Sequence, residues 1–182
     1  MDNFSHAQCA EAFGELLMSL IMGQSAPIDP LVFDDEEAIG ALASSVMQLH
    51  EGLLAFGKCY TTCMTGDGAT LIHGRIESVL SNAFCTIFGR SPIDRFSDIF
   101  DQASYIAEHM VKDHIFEDGN KRTSLVFAFA IIRVRNVSVD FSDNPNPEDN
   151  PYYEWIQDLV SGKRTRKELA SELRRNSKPT RP

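Results

Sequence analysis

LVFAFAIIRV, at residues 125–134, is the stretch that decides the fold. Its side chains are apolar around nearly the whole circumference of a helix, so no face of that helix is suited to water. A helix of this kind lies at the centre of a protein, where its neighbours cover it. We therefore predict an all-α helical bundle in which this stretch forms the central, fully buried helix.

The segments on either side of that stretch also show the helical period rather than the alternation of strands. Apolar residues recur every three or four positions, and polar or glycine-rich stretches separate the segments. The predicted helices run from Ser5 to about Gly23, from Asp34 to about Gly57, through Ile76 to Ile87 with a stop at Gly89, through Ile99 to Met110, and over 152–161 and 165–175. TGDGATLIHG (65–74) is predicted as a loop or short hairpin, and DNPNPEDNP (143–151) as a loop.

Composition excludes several classes of protein. The chain has 182 residues, 43% of them hydrophobic, and a net charge of -9, which argues against general nucleic-acid binding. No apolar run is long enough to cross a bilayer, so we expect a cytoplasmic protein with no membrane contact.

Cys59 and Cys63 lack a second Cys/His pair, so buried thiols are favoured over a zinc site. The basic segment 163–181 is either a docking patch for an acidic partner or, as we prefer, a solvated terminal helix and tail.

HIFEDGNKRT, at residues 114–123, places polar chemistry at the start of the central helix. The first N–H groups of a helix have no partner within it. Gly119 permits the positive φ that turns consecutive amides toward one point, which forms an anion nest at the positive end of the helix dipole. Asn120 adds a side-chain donor, and Lys121 and Arg122 add two cations in the first helical turn. The stretch therefore predicts a phosphate-binding site.

The same stretch carries groups suited to phosphoryl or nucleotidyl transfer. Asp118 can hold Mg2+, an ion that takes oxygen ligands and usually only one or two carboxylates. His114 can accept a proton from an attacking hydroxyl near neutral pH. Phe116 is predicted to anchor the loop in the core and so to keep the nest rigid. Each of these residue types is more often structural when it occurs alone, and the ordered set carries the functional interpretation.

The motif from His114 to Thr123 resembles the active-site motif of the Fic/Doc (Fido) superfamily, and its Asn-Lys-Arg ending is similar to the Doc branch. The resemblance extends more weakly over about residues 48–175. It implies a Fido-type helical bundle with a small β-hairpin flap, which we place at 65–74 with Thr70, Leu71 and Ile72 aligning the target by strand addition. We divide the chain into an N-terminal helical extension (1–40), a Fido domain (41–176) and a flexible tail (177–182).

The resemblance implies an ATP- and Mg2+-dependent enzyme that modifies a protein. His114 is then the base, Asp118 the metal ligand, and residues 119–122 the phosphate contacts, with Arg122 also neutralising charge during catalysis. AMP-transferring members usually have Gly at the position of Lys121 and a second Arg at the position of Leu125. These departures favour the Doc-type reaction, transfer of the γ-phosphoryl group to a Ser or Thr hydroxyl.

Two alternatives stay open at this point. Gly119, where the best-known Doc toxin has Ala, keeps AMP transfer possible. A catalytically idle Fido-fold binding module is the other alternative, and the intact set of His, acid, amide and cations speaks against it.

The resemblance also implies partners and a setting. The expected target is a bacterial protein of the translation machinery, and the expected location is the cytoplasm, with the protein encoded by a bacterium or a phage. Neither N-terminal helix shows the inhibitory (S/T)xxxE(G/N) motif of the family. Inhibition is therefore expected from a small antitoxin protein bound in an exposed apolar groove, with residues 1–24 as the alternative occupant of that groove.

Overall fold

The computed structural model describes residues 28–56, 66–139 and 151–180. Within these residues the chain is mainly helical, with one short antiparallel pair of strands, which confirms the predicted all-α class. The elements are α1 (Glu36–Phe56), α2 (Asp67–Phe84), α3 (Pro92–Arg95), α4 (Ile99–Lys112), α5 (Asn120–Arg133), β1 (Val137–Val139), α6 (Pro151–Ser161), α7 (Arg166–Arg175) and β2 (Ser177–Pro179).

Helix α5 is the centre of the fold, as its apolar sequence predicts. Phe127, Ile131 and Ile132 have no exposed surface. The helix lies against α4 along its length and also contacts α1, α6 and β1. These neighbours hold α5 in one direction, and that direction determines where its N-terminus reaches the surface.

Helix α4, which leads into the motif, is held at its start by one buried acid. The Asp98 carboxylate accepts hydrogen bonds from the backbone N–H groups of Phe100 (3.0 Å) and Asp101 (2.9 Å). Its other oxygen accepts a hydrogen bond from Arg174 Nε of α7 at 2.8 Å. The same side chain therefore caps α4 and joins it to the last helix.

The prediction of a loop or hairpin flap at 65–74 is wrong. Thr70, Leu71 and Ile72 lie in the first turns of α2, which begins at Asp67, directly after Gly66 with its φ of 68°. Gly68 and Gly74 are inside the helix, and a Cβ at either position would meet nothing within 4 Å. Open surroundings let a helix tolerate glycine at a modest entropic cost, so these two glycines do not interrupt it.

The strand pair lies elsewhere in the chain. Strands β1 and β2 run antiparallel, with Val137 opposite Pro179 and Val139 opposite Ser177. Residues 177–179 therefore belong to the folded body, and that part of the predicted flexible tail is wrong. Four other predicted helices, over 34–57, 99–110, 152–161 and 165–175, agree with α1, α4, α6 and α7 to within a few residues.

The basic segment near the C-terminus is largely paired within the chain. Arg164 lies 3.2 Å from Asp158, Arg166 lies 3.3 Å from Asp101, and Arg175 lies 2.6 Å from Glu172. These pairs favour the interpretation of 163–181 as a solvated terminal helix over that of a docking patch.

Several predictions fall outside the described residues: the helix from Ser5 to about Gly23, the thiols of Cys9, Cys59 and Cys63, and most of the loop 143–151. Cys85 lies within them, is half-buried, and donates a hydrogen bond to the carbonyl of Phe33 at 3.3 Å. Among the described helices, none combines the length and the apolar character needed to span a membrane.

Candidate active site

The N-terminus of α5 opens onto the surface through the motif loop, residues 113–119, which follows α4. Gly119 is the N-cap of α5, with φ 72° and ψ 2°, the left-handed conformation predicted for it. The first helical hydrogen bond runs from the N–H of Thr123 to the carbonyl of Gly119 at 2.9 Å. The N–H groups of Asn120, Lys121 and Arg122 precede that bond and therefore have no carbonyl partner within the helix. Positive potential at this end favours an anion.

Gly119 is required for two separate reasons. Its φ is positive, and a Cβ there would lie 3.0 Å from His50 Cε1 and 3.0 Å from Leu54 Cδ2. Both atoms belong to α1, which packs directly beneath the loop. The sequence indicates the first reason through the turn chemistry of Asp-Gly-Asn, whereas the second is visible only in the fold.

Asn120 holds the loop closed. Its Oδ1 accepts a hydrogen bond from the N–H of Phe116 at 2.9 Å, and its Nδ2 donates one to the carbonyl of Phe116 at 2.6 Å. The side chain is 9% exposed. The sequence predicts a phosphate contact for this amide, and in the structure its two polar atoms hydrogen-bond the loop backbone. The side chain therefore positions the loop.

Phe116 is 2% exposed, as a loop anchor should be. Its ring is stacked on the imidazole of His50, with centroids 3.7 Å apart and planes at 8° to each other. Sequence reasoning gave His50 no role. In the sequence it is a histidine on the apolar side of a predicted helix, ordinarily a satisfied core residue, although it lies within residues 48–175, over which the resemblance extends.

His50 is 2% exposed and its Nδ1 lies 2.9 Å from Thr123 Oγ1. Burial lowers the pKa of His50 from 6.5 to about 4, and the charge of Asp118 opposes that shift only in part. The imidazole is therefore neutral at physiological pH and serves as a hydrogen-bonded packing group.

His114 stands at the edge of the site with an unusual backbone. It is exposed, and its φ is 45°; a non-glycine residue in this region costs on the order of 1 kcal/mol or more. The guanidinium of Arg75 on α2 donates to the carbonyl of His114 at 3.3 Å and also to that of Asp113. These bonds fix the backbone on which the imidazole is carried.

The loop and the start of α5 border a cleft of about 250 Å³. Most of the residues predicted to act on substrate line it together: His114, Asp118, Gly119, Asn120, Lys121 and Arg122, joined by Leu54, Val111, Glu117, Tyr153 and Val160. The Phe116 side chain is buried beneath the loop. Thr70, Leu71 and Ile72 do not line the cleft.

The two cations of the first helical turn are held by neighbouring elements. Lys121 Nζ donates to Gln157 Oε1 and lies 5.6 Å from the centroid of the Tyr153 ring, both on α6. Arg122 donates to the carbonyl of Leu53 at 3.3 Å. Both side chains are half-buried. Because these contacts already restrict the two side chains, a ligand that binds the cleft would lose less side-chain entropy when it orders them.

Asp118 is exposed at the mouth of the cleft, and its Oδ1 accepts a hydrogen bond from the N–H of Gly119 at 2.6 Å. Over the described residues, no group of three or more His, Cys, Asp or Glu side chains is arranged to hold a metal ion. A single carboxylate beside a phosphate-binding turn suits Mg2+, which keeps several waters and binds through one or two carboxylates and substrate phosphates. The donor set therefore fits magnesium and does not fit a structural zinc ion.

Leu125 occupies the position three residues after Arg122. It is 5% exposed and belongs to the hydrophobic core. No cation therefore reaches the cleft from this position of α5.

Comparison with known proteins agrees with the motif. A sequence model described as the Fic/DOC family matches residues 34–132, which is more than half of the 182 residues. A protein named Toxin Doc from Mycolicibacterium smegmatis is 23% identical over 91 residues, covering 50% of this chain and 62% of that protein. The chain thus spans less than two thirds of the length of that relative. No solved structure shows a significant match.

Proposed function

The chain belongs to the Fic/DOC family, and on this premise we propose that it transfers the γ-phosphoryl group of ATP to a Ser or Thr hydroxyl of a protein. The observation that carries the proposal is the convergence of His114, Asp118, Lys121 and Arg122 on one cleft at the N-terminus of α5. Members of the family transfer nucleotide-derived groups to proteins, so the proposal concerns which group is moved.

Binding of the polyphosphate follows from the start of α5. The free N–H groups of residues 120–122 would donate to phosphate oxygens, and Lys121 and Arg122 would neutralise their charge. Asp118 would hold a Mg2+ ion, which would supply further neutralisation of the phosphate charge. Tyr153 borders the same cleft and limits its width on the α6 side.

The chemical step needs a base and a stabilised leaving group. His114 would accept the proton of the target hydroxyl while the hydroxyl oxygen forms a bond to the γ-phosphorus. The bond between that phosphorus and the β–γ bridging oxygen breaks, and ADP leaves with the electron pair. The fixed donors around the cleft favour this step by electrostatic stabilisation of the transferring group, without covalent participation of the protein.

Transfer of AMP is the second candidate, and the geometry of α5 weighs against it. The AMP-transferring orientation relies on a cation at the position of Leu125, which here is a core residue. Gly119 is the feature that favours AMP transfer by resemblance. Its positive φ and the lack of room for a Cβ beside His50 explain that glycine without reference to the nucleotide, so it does not indicate the orientation of the nucleotide.

The physiological setting is also a proposal. A relative is named a toxin, and we extend that role to this chain, with a target in the translation machinery and a small antitoxin protein as inhibitor. The setting would be the cytoplasm of a bacterium, with the protein encoded by the bacterium or by a phage.

One experiment separates the candidates. The purified protein is incubated with bacterial lysate and ATP labelled at either the α or the γ phosphate. We expect protein-bound label from γ-labelled ATP only, and loss of that label in His114→Ala. His73→Ala is a matched control, because His73 lies on α2 outside the cleft and is hydrogen-bonded to Ser44. Label from the α position would replace the kinase with an AMP transferase, and no label from either would favour an idle binding module.

A further inference from the structure

A buried histidine of α1 contacts the motif at two points and leaves no room for a side chain at a third. The His50 imidazole stacks on Phe116, which lies at the start of the loop. Its Cε1 lies 3.0 Å from the position of a Cβ on Gly119, at the turn of the loop. Its Nδ1 lies 2.9 Å from Thr123 Oγ1, in the first turn of α5.

The chemistry of these contacts distinguishes an imidazole from an aliphatic core residue. A buried polar group is costly unless it is hydrogen-bonded, and Thr123, which has no exposed surface, supplies the partner. Leu53 and Leu54 follow on the same buried part of α1. A third leucine at position 50 could fill the space, but it would leave the Thr123 hydroxyl without this partner and Phe116 without a parallel ring.

Thr123 connects the histidine to the anion nest. Its side chain meets His50, while its backbone N–H donates to the carbonyl of Gly119 at 2.9 Å. Phe116, on the other side of the ring, is held by Asn120 through two hydrogen bonds. The imidazole therefore lies between the two ends of the loop, with Phe116 on one side and Thr123 on the other.

We propose that His50 is a positioning residue for phosphate binding, which acts through Phe116 and Thr123 to aim the free N–H groups of residues 120–122 into the cleft. This inference rests on the proposed function, since it names the residue that shapes the nucleotide site. His50 does not touch the substrate in this role. Loss of either contact keeps the N–H groups of residues 120–122 but lets the loop and the start of α5 move relative to one another, so these groups are no longer aimed into the cleft.

Two substitutions separate the two contacts. His50→Asn retains an amide near the position of Nδ1, so it can bond Thr123, but it removes the ring that stacks on Phe116. His50→Phe retains the flat ring and removes the hydrogen bond. Thr123→Val removes the hydroxyl and keeps the shape of the side chain. His73→Phe is the control on α2, where the imidazole is bonded to Ser44 away from the cleft.

The assay is direct binding of Mg·ATP by calorimetry, with circular dichroism and thermal melting to establish that each variant is folded. We expect His50→Phe and Thr123→Val each to weaken binding by about tenfold, and the double variant to be no weaker than the poorer single variant. His50→Asn should weaken binding as well, through loss of the ring, and His73→Phe should bind like the wild type.

The outcomes distinguish this inference from the proposed function. If the wild-type protein does not bind Mg·ATP, the proposed function fails. If the wild type binds and the folded variants bind equally well, with only the melting temperature lowered, His50 is a structural residue and the inference is overturned. Multiplicative effects in the double variant would also overturn it, because they would show that His50 and Thr123 act separately.

Discussion

Replacement of Gly119 by alanine tests the packing of the motif loop against α1. An L-residue in the left-handed region costs about 1–2 kcal/mol, and the smaller entropy of unfolded alanine returns about 0.4–1 kcal/mol. The new Cβ would also lie 3.0 Å from His50 Cε1 and 3.0 Å from Leu54 Cδ2. The leucine methyl can move aside, whereas the imidazole is fixed by Phe116 and Thr123. Overpacking of this kind costs about 1–3 kcal/mol.

The expected loss of unfolding free energy for Gly119→Ala is therefore about 3 kcal/mol, or roughly 9 °C in melting temperature for a chain of this size. Two control glycines separate the causes. Gly162 has φ 74° with nothing within 4 Å of its Cβ position, so Gly162→Ala should lose only about 1 kcal/mol. Gly74 is helical with open surroundings, so Gly74→Ala should gain about 0.5–1 kcal/mol.

Urea titration of the three variants at equal m-value gives the comparison. Equal losses for Gly119→Ala and Gly162→Ala would show that the contact with α1 carries no energy, and the reasoning about the loop support would be wrong. A smaller loss for Gly119→Ala in a His50→Asn background is the corresponding positive sign, since that change removes the ring that the Cβ would meet.

Three further predictions concern catalysis, stability and pH. His114→Ala should lower the transfer rate by about 10²–10⁴-fold while Mg·ATP affinity and melting temperature stay near those of the wild type, because only the base is lost; a parallel loss of affinity would contradict that role. Asp98→Ala should lower the unfolding free energy by about 1–3 kcal/mol, because Asp98 both caps α4 and pairs with Arg174. The loss should exceed that of Asp35→Ala at the exposed cap of α1. Equal losses in urea titration would show that the pair with Arg174 does not contribute to stability. Burial lowers the pKa of His50 in the folded protein to about 4, so as pH falls from about 6.5 to 4 the unfolded chain takes up this proton first. The unfolding free energy should therefore drop by at most about 3 kcal/mol over this range. An equally steep drop in His50→Phe would show that another group causes it.

The central helix and the motif are the parts that the sequence predicts well, for related physical reasons. The residues from Leu125 to Val134 form an uninterrupted apolar surface that only burial accommodates. Asp-Gly-Asn at the start of that helix has local turn chemistry that fixes a left-handed glycine. Both signals are carried by neighbouring residues, so they can be read without knowledge of the fold.

Other features depend on contacts between distant residues or on the surroundings of a residue. Gly68 and Gly74 suggest a flap by composition, yet each lies in α2 because nothing crowds it there. The amide of Asn120 looks available for phosphate until its bonds to Phe116 are seen. His50 contacts Thr123 across 73 positions of sequence, and the residues near either position in the sequence do not indicate that contact.

Phosphate binding at the N-terminus of α5 is tested most directly by nuclear magnetic resonance of the 15N-labelled protein, whose 20.3 kDa mass suits the method. Backbone amide signals are followed while Mg2+ and a non-hydrolysable ATP analogue are added. We expect the largest shifts at Gly119, Asn120, Lys121 and Arg122, and we expect Mg2+ to be needed for the full effect. Saturable binding that leaves these four amides unmoved and shifts signals elsewhere would contradict the claim that the N-terminus of α5 binds the nucleotide phosphates.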